Sequence, residues 1–352
     1  MLNAAIVGVG FMGWIHYLAY QRAQGVRLAA FCSRNPKKRG GDWTDIRGNF
    51  GPPGGKVDVS GLRVYTTLDE ILHDESIDLV DVCLPPHLHV DAACRALAAG
   101  KHVLCEKPLA LNTSDCDRIL DAAAQADRRV LVAQVLPYMG EYQYLYRVAL
   151  QQALGKARHA MFKRIISPPD WIPNFYNPQE VGGPLIDLHV HDTHFVRLLF
   201  GMPQRVMCTA EMHDGVVKFC YGLMEFDSPG QRVATASGVS EQTARPFCHG
   251  FEVQFEQGVV QFELDALVDG VDTLGLKVLR QDGRIDRPAL DASDEIDAFA
   301  RELSDAARSI RSGTVEPRLD GHNARDAIHI CQCLQQAAET GQWVACRAPQ
   351  DN

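Results

Sequence analysis

The chain has 352 residues, of which 46% are hydrophobic and 22% charged, the balance of a soluble globular protein with room for two to three domains. Its formal net charge of -9, with no dense Lys/Arg stripe, argues against a nucleic-acid backbone as partner. No apolar run reaches the roughly 18 residues of a membrane span. The eleven cysteines are scattered singly, apart from Cys331 and Cys333, without metal-finger spacing, and read as reduced thiols. No basic segment precedes an apolar core at the start, so a cytoplasmic location is expected.

Ala4 to Val7 is a short apolar run, and Gly8-Val9-Gly10-Phe11-Met12-Gly13 then opens a helical stretch to Tyr20. This is GxGxxG between a strand and a helix, where the glycines permit a tight turn and close approach of a pyrophosphate to the helix N-terminus. Gly8, Gly10, Phe11, Met12 and Gly13 are therefore expected to bind a dinucleotide. After the second strand, Val26 to Cys32, an NAD site usually offers an acid to the ribose hydroxyls. Here Ser33-Arg34-Asn35-Pro36-Lys37-Lys38-Arg39 offers none. Ser33 and Arg34 can bond a 2′-phosphate and Lys37 or Lys38 adds positive field, which favours NADP, with NAD as the alternative. Gly40 to Gly61, carrying Trp43, Phe50 and Pro52-Pro53, fits neither period and reads as a long loop, either folded over the adenosine end of the cofactor or a surface excursion.

Regular alternation resumes with a strand at Val64-Tyr65, a capping box at Thr67 and Glu70, and a buried strand from Ile77 to Leu84 ending at Pro85-Pro86. A helix over Leu88 to Ala99, a strand over Lys101 to Cys105, the turn Glu106-Lys107-Pro108, a helix over Ser114 to Asp127 and a strand over Val130 to Val135 follow. The βαβ rhythm implies a parallel sheet with its ligand at the carboxyl ends of the strands. Leu84, Pro85, Glu106 and Lys107 belong to that edge. Desolvation there would lower the lysine pKa and let it share a proton with a substrate hydroxyl.

Leu145 to Leu154 reads as a helix and Met161 to Ile166 as a strand, followed by a polar, aromatic loop in which Trp171 or Tyr176 could stack on a ring face or serve structural packing. The stretch Gly182 to His194 reads as one helix, with Pro184 in its first turn and Gly201 and Pro203 as its stop. On a straight helix Asp187, His191 and His194 fall within roughly 60°. A carboxylate one turn before an imidazole can orient the ring and stabilise its charged form. From Gln204 to Arg280 the period changes to two, giving strands at Val206 to Ala210, Val216 to Phe226, Val233 to Val239, Glu252 to Phe255, Val259 to Leu264 and Leu274 to Leu279. They read as an antiparallel meander whose uncovered apolar face implies a homodimer or homotetramer. Asp294 to Ile310 and Gly321 to Thr340 are helices expected to pack back on the first domain. The expected domains are 1–135 and 136–352.

Three motifs, Gly8-x-Gly10-x-x-Gly13, Glu106-Lys107-Pro108 and Gly182-Gly183-x-x-x-Asp187-x-x-x-His191, together resemble the Gfo/Idh/MocA oxidoreductase family. Pro86-x-x-His89, Ala98-x-Gly100-Lys101-His102-Val103 and Thr340-Gly341-Gln342-Trp343-Val344 extend the likeness over essentially the whole chain. The resemblance implies an α/β protein, an N-terminal Rossmann parallel sheet followed by an α+β domain with a large open antiparallel sheet. It further implies NAD(P)-dependent oxidation or reduction at a carbinol carbon of a sugar derivative or cyclic polyol. Carried over by position, Lys107, Asp187 and His191 form the catalytic set, and His89 joins the cofactor residues. Two departures fall at the implied substrate pocket: His194, where the family often has aspartate, and Leu136-Pro137-Tyr138, where it often has Arg and Phe. Tyr138, Trp171 and His194 are thus expected substrate contacts beside the catalytic three, and no metal is assigned. Readings from other classes are a metal-dependent hydrolase built on His189-x-His191, which would require a strand, a hydrolase or lyase that retains its cofactor and works by transient oxidation, and a non-catalytic sensor.

Overall fold

The computed structural model describes residues 1–347 other than 170, 171, 173, 229 and 291–293. The chain divides into two compact units, Met1–Met139 with Ala292–Arg325, and Gly140–Asp291 with Asp326–Asn352.

In the first unit the strands are β1 (Leu2–Val7), β2 (Val26–Cys32), β3 (Arg63–Tyr65), β4 (Leu79–Val82), β5 (His102–Glu106) and β6 (Val130–Ala133). All pair in parallel, in the order β3-β2-β1-β4-β5-β6. This is the doubly wound arrangement, with its switch point between β1 and β4. β4 and β6 are buried along their whole length, as a sheet covered on both faces requires. The helices are α1 (Phe11–Tyr20), α2 (Pro36–Arg39), α3 (Leu68–Leu72), α4 (His89–Ala98) and α5 (Thr113–Ala126). Thr67 and Glu70 form the expected capping box on α3. The long loop after α2 is anchored by its aromatics. Trp43 is fully buried, edge-on to Trp14, Tyr17 and Phe31, and Phe50 lies against Phe11 and stacks on Phe299. Trp14 Nε1 donates to Pro52 O at 2.9 Å, so the loop is clamped onto α1.

The second unit opens with α6 (Gly140–Leu150) and β7 (Ala157–Ile166), followed by α7 (Gly183–Asp187) and α8 (Val190–Phe200). Then come β8 (Arg205–His213), β9 (Val216–Glu225), β10 (Arg232–Val239), β11 (Phe247–Phe255), β12 (Gly258–Leu267), β13 (Gly270–Thr273), β14 (Lys277–Arg280) and β15 (Ile285–Asp286). With β16 (Val344–Ala345) they form a mostly antiparallel sheet in the order β15-β14-β12-β11-β7-β10-β9-β8-β16, with β13 paired to β12. The sheet is not a pure meander. β7 lies between β11 and β10 and runs parallel to β10, because the chain crosses over through α7 and α8 and returns beside β7 as the third strand of β8-β9-β10. One face packs Phe162, Phe251 and Phe262 against Tyr142 and Phe195 in edge-on and tilted ring contacts.

The last two helices are α9 (Glu295–Ser312), in the first unit, and α10 (Gly321–Thr340), which carries residues of both. α9 lies along α1, where Arg22 Nη1 reaches Asp294 and Asp297 at 2.6 and 2.7 Å. Among the described residues no helix is long and apolar enough to cross a membrane.

Candidate functional site

At the glycine-rich turn, Gly8 has φ +102°, and a Cβ there would sit 2.6 Å from Cys83 O. A Cβ on Gly13 would sit 2.1 Å from Gly8 O, whereas one on Gly10 would meet nothing within 4 Å. The first and third glycines therefore let backbone segments close on one another. The second leaves open the approach to the α1 N-terminus, where the Phe11, Met12 and Gly13 amides begin the helix and no side chain caps it. These residues fit a bound pyrophosphate. Past β2, Ser33 is buried with its Oγ accepting from Asn35 N at 3.3 Å, and Arg34 is exposed. Lys38 Nζ donates to Val9 O at 2.8 Å, tying the basic turn to the glycine turn.

Glu106 ends β5, and the Lys107-Pro108 bond that follows is cis. Glu106 Oε2 accepts from Lys107 N at 3.0 Å while Oε1 lies 2.9 Å from His16 Nε2. On the other side of the ring, His16 Nδ1 lies 2.8 Å from Asp81 Oδ2, which also accepts from Tyr20 OH at 2.9 Å. Ionised carboxylates only accept, so a ring held between two of them donates from both nitrogens. Burial opposes the charged imidazole, but Asp81 and the neighbouring Cys83 outweigh it and raise the His16 pKa well above its usual value. His89 braces the turn from the other direction, with Nδ1 2.8 Å from Pro108 O and Nε2 2.8 Å from Leu84 O. Its ring is fully buried and burial lowers its pKa, so the neutral imidazole, with a single N–H, donates to one of these carbonyls and packs against the other. Lys107 itself is half-buried.

Behind this network lies Glu302 of α9, fully buried, with no hydrogen-bond partner for either oxygen among the described residues. Burial first, then the charge of Glu106, pushes its pKa well above the ordinary value of 4.5. It is therefore held as the neutral acid. A raised folded-state pKa contributes stability below the unfolded pKa and loses it as pH climbs towards the folded value. Glu302→Gln should accordingly melt like the parent at pH 5 and a few degrees higher at pH 9. Equal offsets at both pH values in a thermal melt would contradict this assignment.

In the second unit the expected single helix is two. Gly182 and Gly183 have φ +88° and +74°, left-handed values that start α7 abruptly. After Asp187 the ladder slips: His189 N donates to Pro184 O at 3.0 Å, a bond of the i→i−5 kind, and α8 begins at Val190. Asp187 thus ends one helix and His191 lies near the start of the next, both half-buried. His194 does not share an open face with them. It is fully buried, and burial, then Arg197, pushes its pKa down to about 3, so it is a neutral interior imidazole and not a substrate contact. Tyr138 is likewise corrected: its ring is buried in the core of the first unit beneath the Arg318 guanidinium, 4.1 Å from the ring centre. Trp171 lies outside the described residues.

The sequence reading missed the group that fixes α8. Asp192, next to His191, takes a two-pronged contact from Arg164 of β7, Nε to Oδ2 at 3.0 Å and Nη2 to Oδ1 at 3.1 Å. Burial would raise the Asp192 pKa, yet Arg164 and then His189 hold it below the usual range. Tyr142 OH lies 3.4 Å from Arg164 Nη2 and 3.1 Å from His249 Nδ1, completing a buried polar cluster. A charged residue within the apolar run Met161 to Ile166 was the available signal. His189 and His191 lie on helical backbone, not the strand that a metal-dependent hydrolase would require.

Two family descriptions match the sequence: an oxidoreductase family with an NAD-binding Rossmann fold over residues 2–134, and the GFO/IDH/MocA C-terminal domain over residues 142–261. Among similar proteins, an uncharacterized oxidoreductase of Rhizobium meliloti is 28% identical over 288 residues, 80% of this chain and 84% of that one. D-xylose 1-dehydrogenase (NADP(+)) 2 of Haloferax volcanii is 27% identical over 283 residues, covering 79% and 83%. Levoglucosan dehydrogenase in complex with NADH and levoglucosan has the same fold, with TM-score 0.78, 20% identity and coverage of 99% and 100% of the two chains.

Proposed function

This chain belongs to the Gfo/Idh/MocA family of NAD(P)-dependent oxidoreductases, and on that footing we propose that it moves a hydride between NADP and a carbinol carbon of a sugar derivative or cyclic polyol. The observation that supports this best is the bracing of Lys107. The turn leaves the carboxyl end of β5 held by the Glu106 carboxylate on one side and by His89 on the other. A D-xylose dehydrogenase relative supports the substrate class, and its NADP agrees with the basic turn after β2.

The bound nicotinamide would supply the hydride acceptor or donor. In the oxidative direction His191 takes the hydroxyl proton, and Asp187 orients its ring and offsets its charge. Lys107 hydrogen-bonds the same oxygen and stabilises the negative charge that develops there. Gly10, Phe11, Met12 and Gly13 present the backbone that receives the pyrophosphate, and Ser33, Arg34 and Lys38 the surface for the 2′-phosphate. A cytoplasmic setting fits the eleven cysteines, all of them free.

The test is a panel of sugars and cyclitols offered with NADP and with NAD, followed by nicotinamide absorbance. Turnover of at least one member with net reduction of cofactor is the expected result. Consumption of substrate without net reduction would instead identify a cofactor-retaining hydrolase or lyase. Arg34→Ala should weaken NADP binding by about tenfold and leave NAD little changed, in fluorescence titrations. Equal losses for both cofactors would refute the 2′-phosphate assignment.

The other face of the second sheet exposes Met161, Tyr221 and Leu223, with Tyr221 61% accessible. The ladder aligns Leu223 and Met161 with Ala234 of β10 between them, so these side chains form one apolar patch. The proposed partner for it is a second copy of this chain. Light scattering of Leu223→Glu should show a smaller particle than the parent. An unchanged mass would remove this face from assembly.

A further inference from the structure

Three side chains of ligand type converge at the end of the second unit, and the proposed reaction uses none of them. His329 and Cys333 stand four residues apart on α10 and so leave the same face of the helix. Beyond the helix the chain turns at Gly341, φ +65°, and returns as β16, which delivers Cys346 to that face. Cys333 Sγ lies 3.7 Å from His329 Nε2, and the three donor atoms all lie within 4.8 Å of one another. Cys333 and Cys346 are buried, whereas His329 is half-buried.

These distances have a specific chemical meaning. A tetrahedral zinc ion with bonds of about 2.3 Å to sulfur and about 2.0 Å to nitrogen holds a sulfur and a nitrogen roughly 3.5 Å apart. The Cys333–His329 spacing is already close to that edge. An oxygen is at hand for the fourth position: Arg347 O lies 3.2 Å from His329 Nε2 and becomes available once that nitrogen turns to a metal. The spacing is His-x3-Cys-x12-Cys. It escapes a search for paired cysteines because a histidine stands in the helical pair.

We propose that His329, Cys333 and Cys346 form a structural zinc site that fastens β16 to α10, with an oxygen, from Arg347 or water, as fourth ligand. The fold gives such a clasp a purpose. β16 is a two-residue strand at the edge of the sheet, paired to β8 through Val344 and Ala345 and continued by Cys346 N, which donates to Gln204 O at 2.8 Å. Binding converts both thiols to thiolates and releases their protons to solvent. The proposed reaction assigns no role to these three residues, so the site stands or fails independently of the redox reading.

The purified full-length protein should carry close to one zinc per chain by plasma mass spectrometry, and Cys346→Ser should lose it. After chelation, cobalt(II) should bind with a thiolate-to-metal charge-transfer absorption, at least tenfold more tightly than to Cys333→Ser. The parent's melting temperature should fall on chelation and recover with zinc, a response absent from His329→Asn. The cobalt titration uses the parent alone and remains decisive if a variant fails to fold. Metal-free protein that gives no charge-transfer band overturns the proposal. So does zinc retained by Cys346→Ser, or an intact mass 2 Da low from a Cys333–Cys346 disulfide, since oxidised sulfurs cannot ligate as thiolates.

Discussion

Lys107→Ala lowers kcat by about two to three orders of magnitude while leaving NADP affinity within about tenfold of the parent. The size follows from what the ammonium does: it is the cationic donor to an oxygen that is most negative in the transition state, and water cannot take its place at a fixed distance. The neighbouring groups keep that donor in position. Glu106 accepts from the Lys107 amide, His16 and Asp81 hold Glu106, and His89 grips the carbonyl of Pro108. Lys107→Arg retains the charge but cannot release a proton, and its planar fork is a different shape, so it restores only a small part of the rate. Single-turnover measurement of nicotinamide absorbance separates the chemical step from product release. A rate within about twofold of the parent in the alanine variant would remove Lys107 from the mechanism.

Asp192→Ala destabilises the protein by about 3–5 kcal/mol. Asp192 and Arg164 are both almost wholly removed from solvent, and each satisfies the other through two contacts. Deleting the carboxylate leaves a guanidinium desolvated, with Tyr142 OH at 3.4 Å as a poor substitute. Replacing both partners by apolar side chains, Asp192→Leu with Arg164→Met, recovers most of the loss because no charge is then stranded. Activity does not recover with it, since His191 has lost the neighbour that fastens α8 to β7. Urea denaturation gives the energies, and kcat of the double variant gives the second half of the claim. A loss below about 1 kcal/mol in the single variant would show that water reaches Arg164.

Local chemistry was legible in the sequence and long-range chemistry was not. The glycine turn, the Glu106-Lys107-Pro108 turn and the alternation of the first six strands are set by residues a few positions apart, so pattern alone recovers them. The division of the central helix could not be read this way. It rests on one slipped bond from His189 N to Pro184 O, and the hydrophobic period continues through it undisturbed. Projecting that period onto a straight helix is what put His194 on the open face, when it is an interior residue. His16, Asp81 and Glu302 were missed because their meaning comes from one another, across 65 positions in the case of the first pair. Asp81, fully buried in the run Ile77 to Leu84, was the one clue to them. The place of β7 in the sheet likewise depends on pairing with β10 and β11, which no local signal encodes.

The slip between α7 and α8 gives Asp187 and His191 separate foundations. Asp187 rides on a five-residue helix launched by two glycines, whereas His191 belongs to a segment bolted to the sheet by Arg164 and to α10 by the bond from Thr193 Oγ1 to Ala327 O. A continuous rod would carry both groups together, so any adjustment for one would displace the other. With a joint between them, substitutions around Gly182 and Val216 can retune the carboxylate while the imidazole keeps its bearing. Divergence in the molecules accepted would then accumulate on the α7 side of the joint.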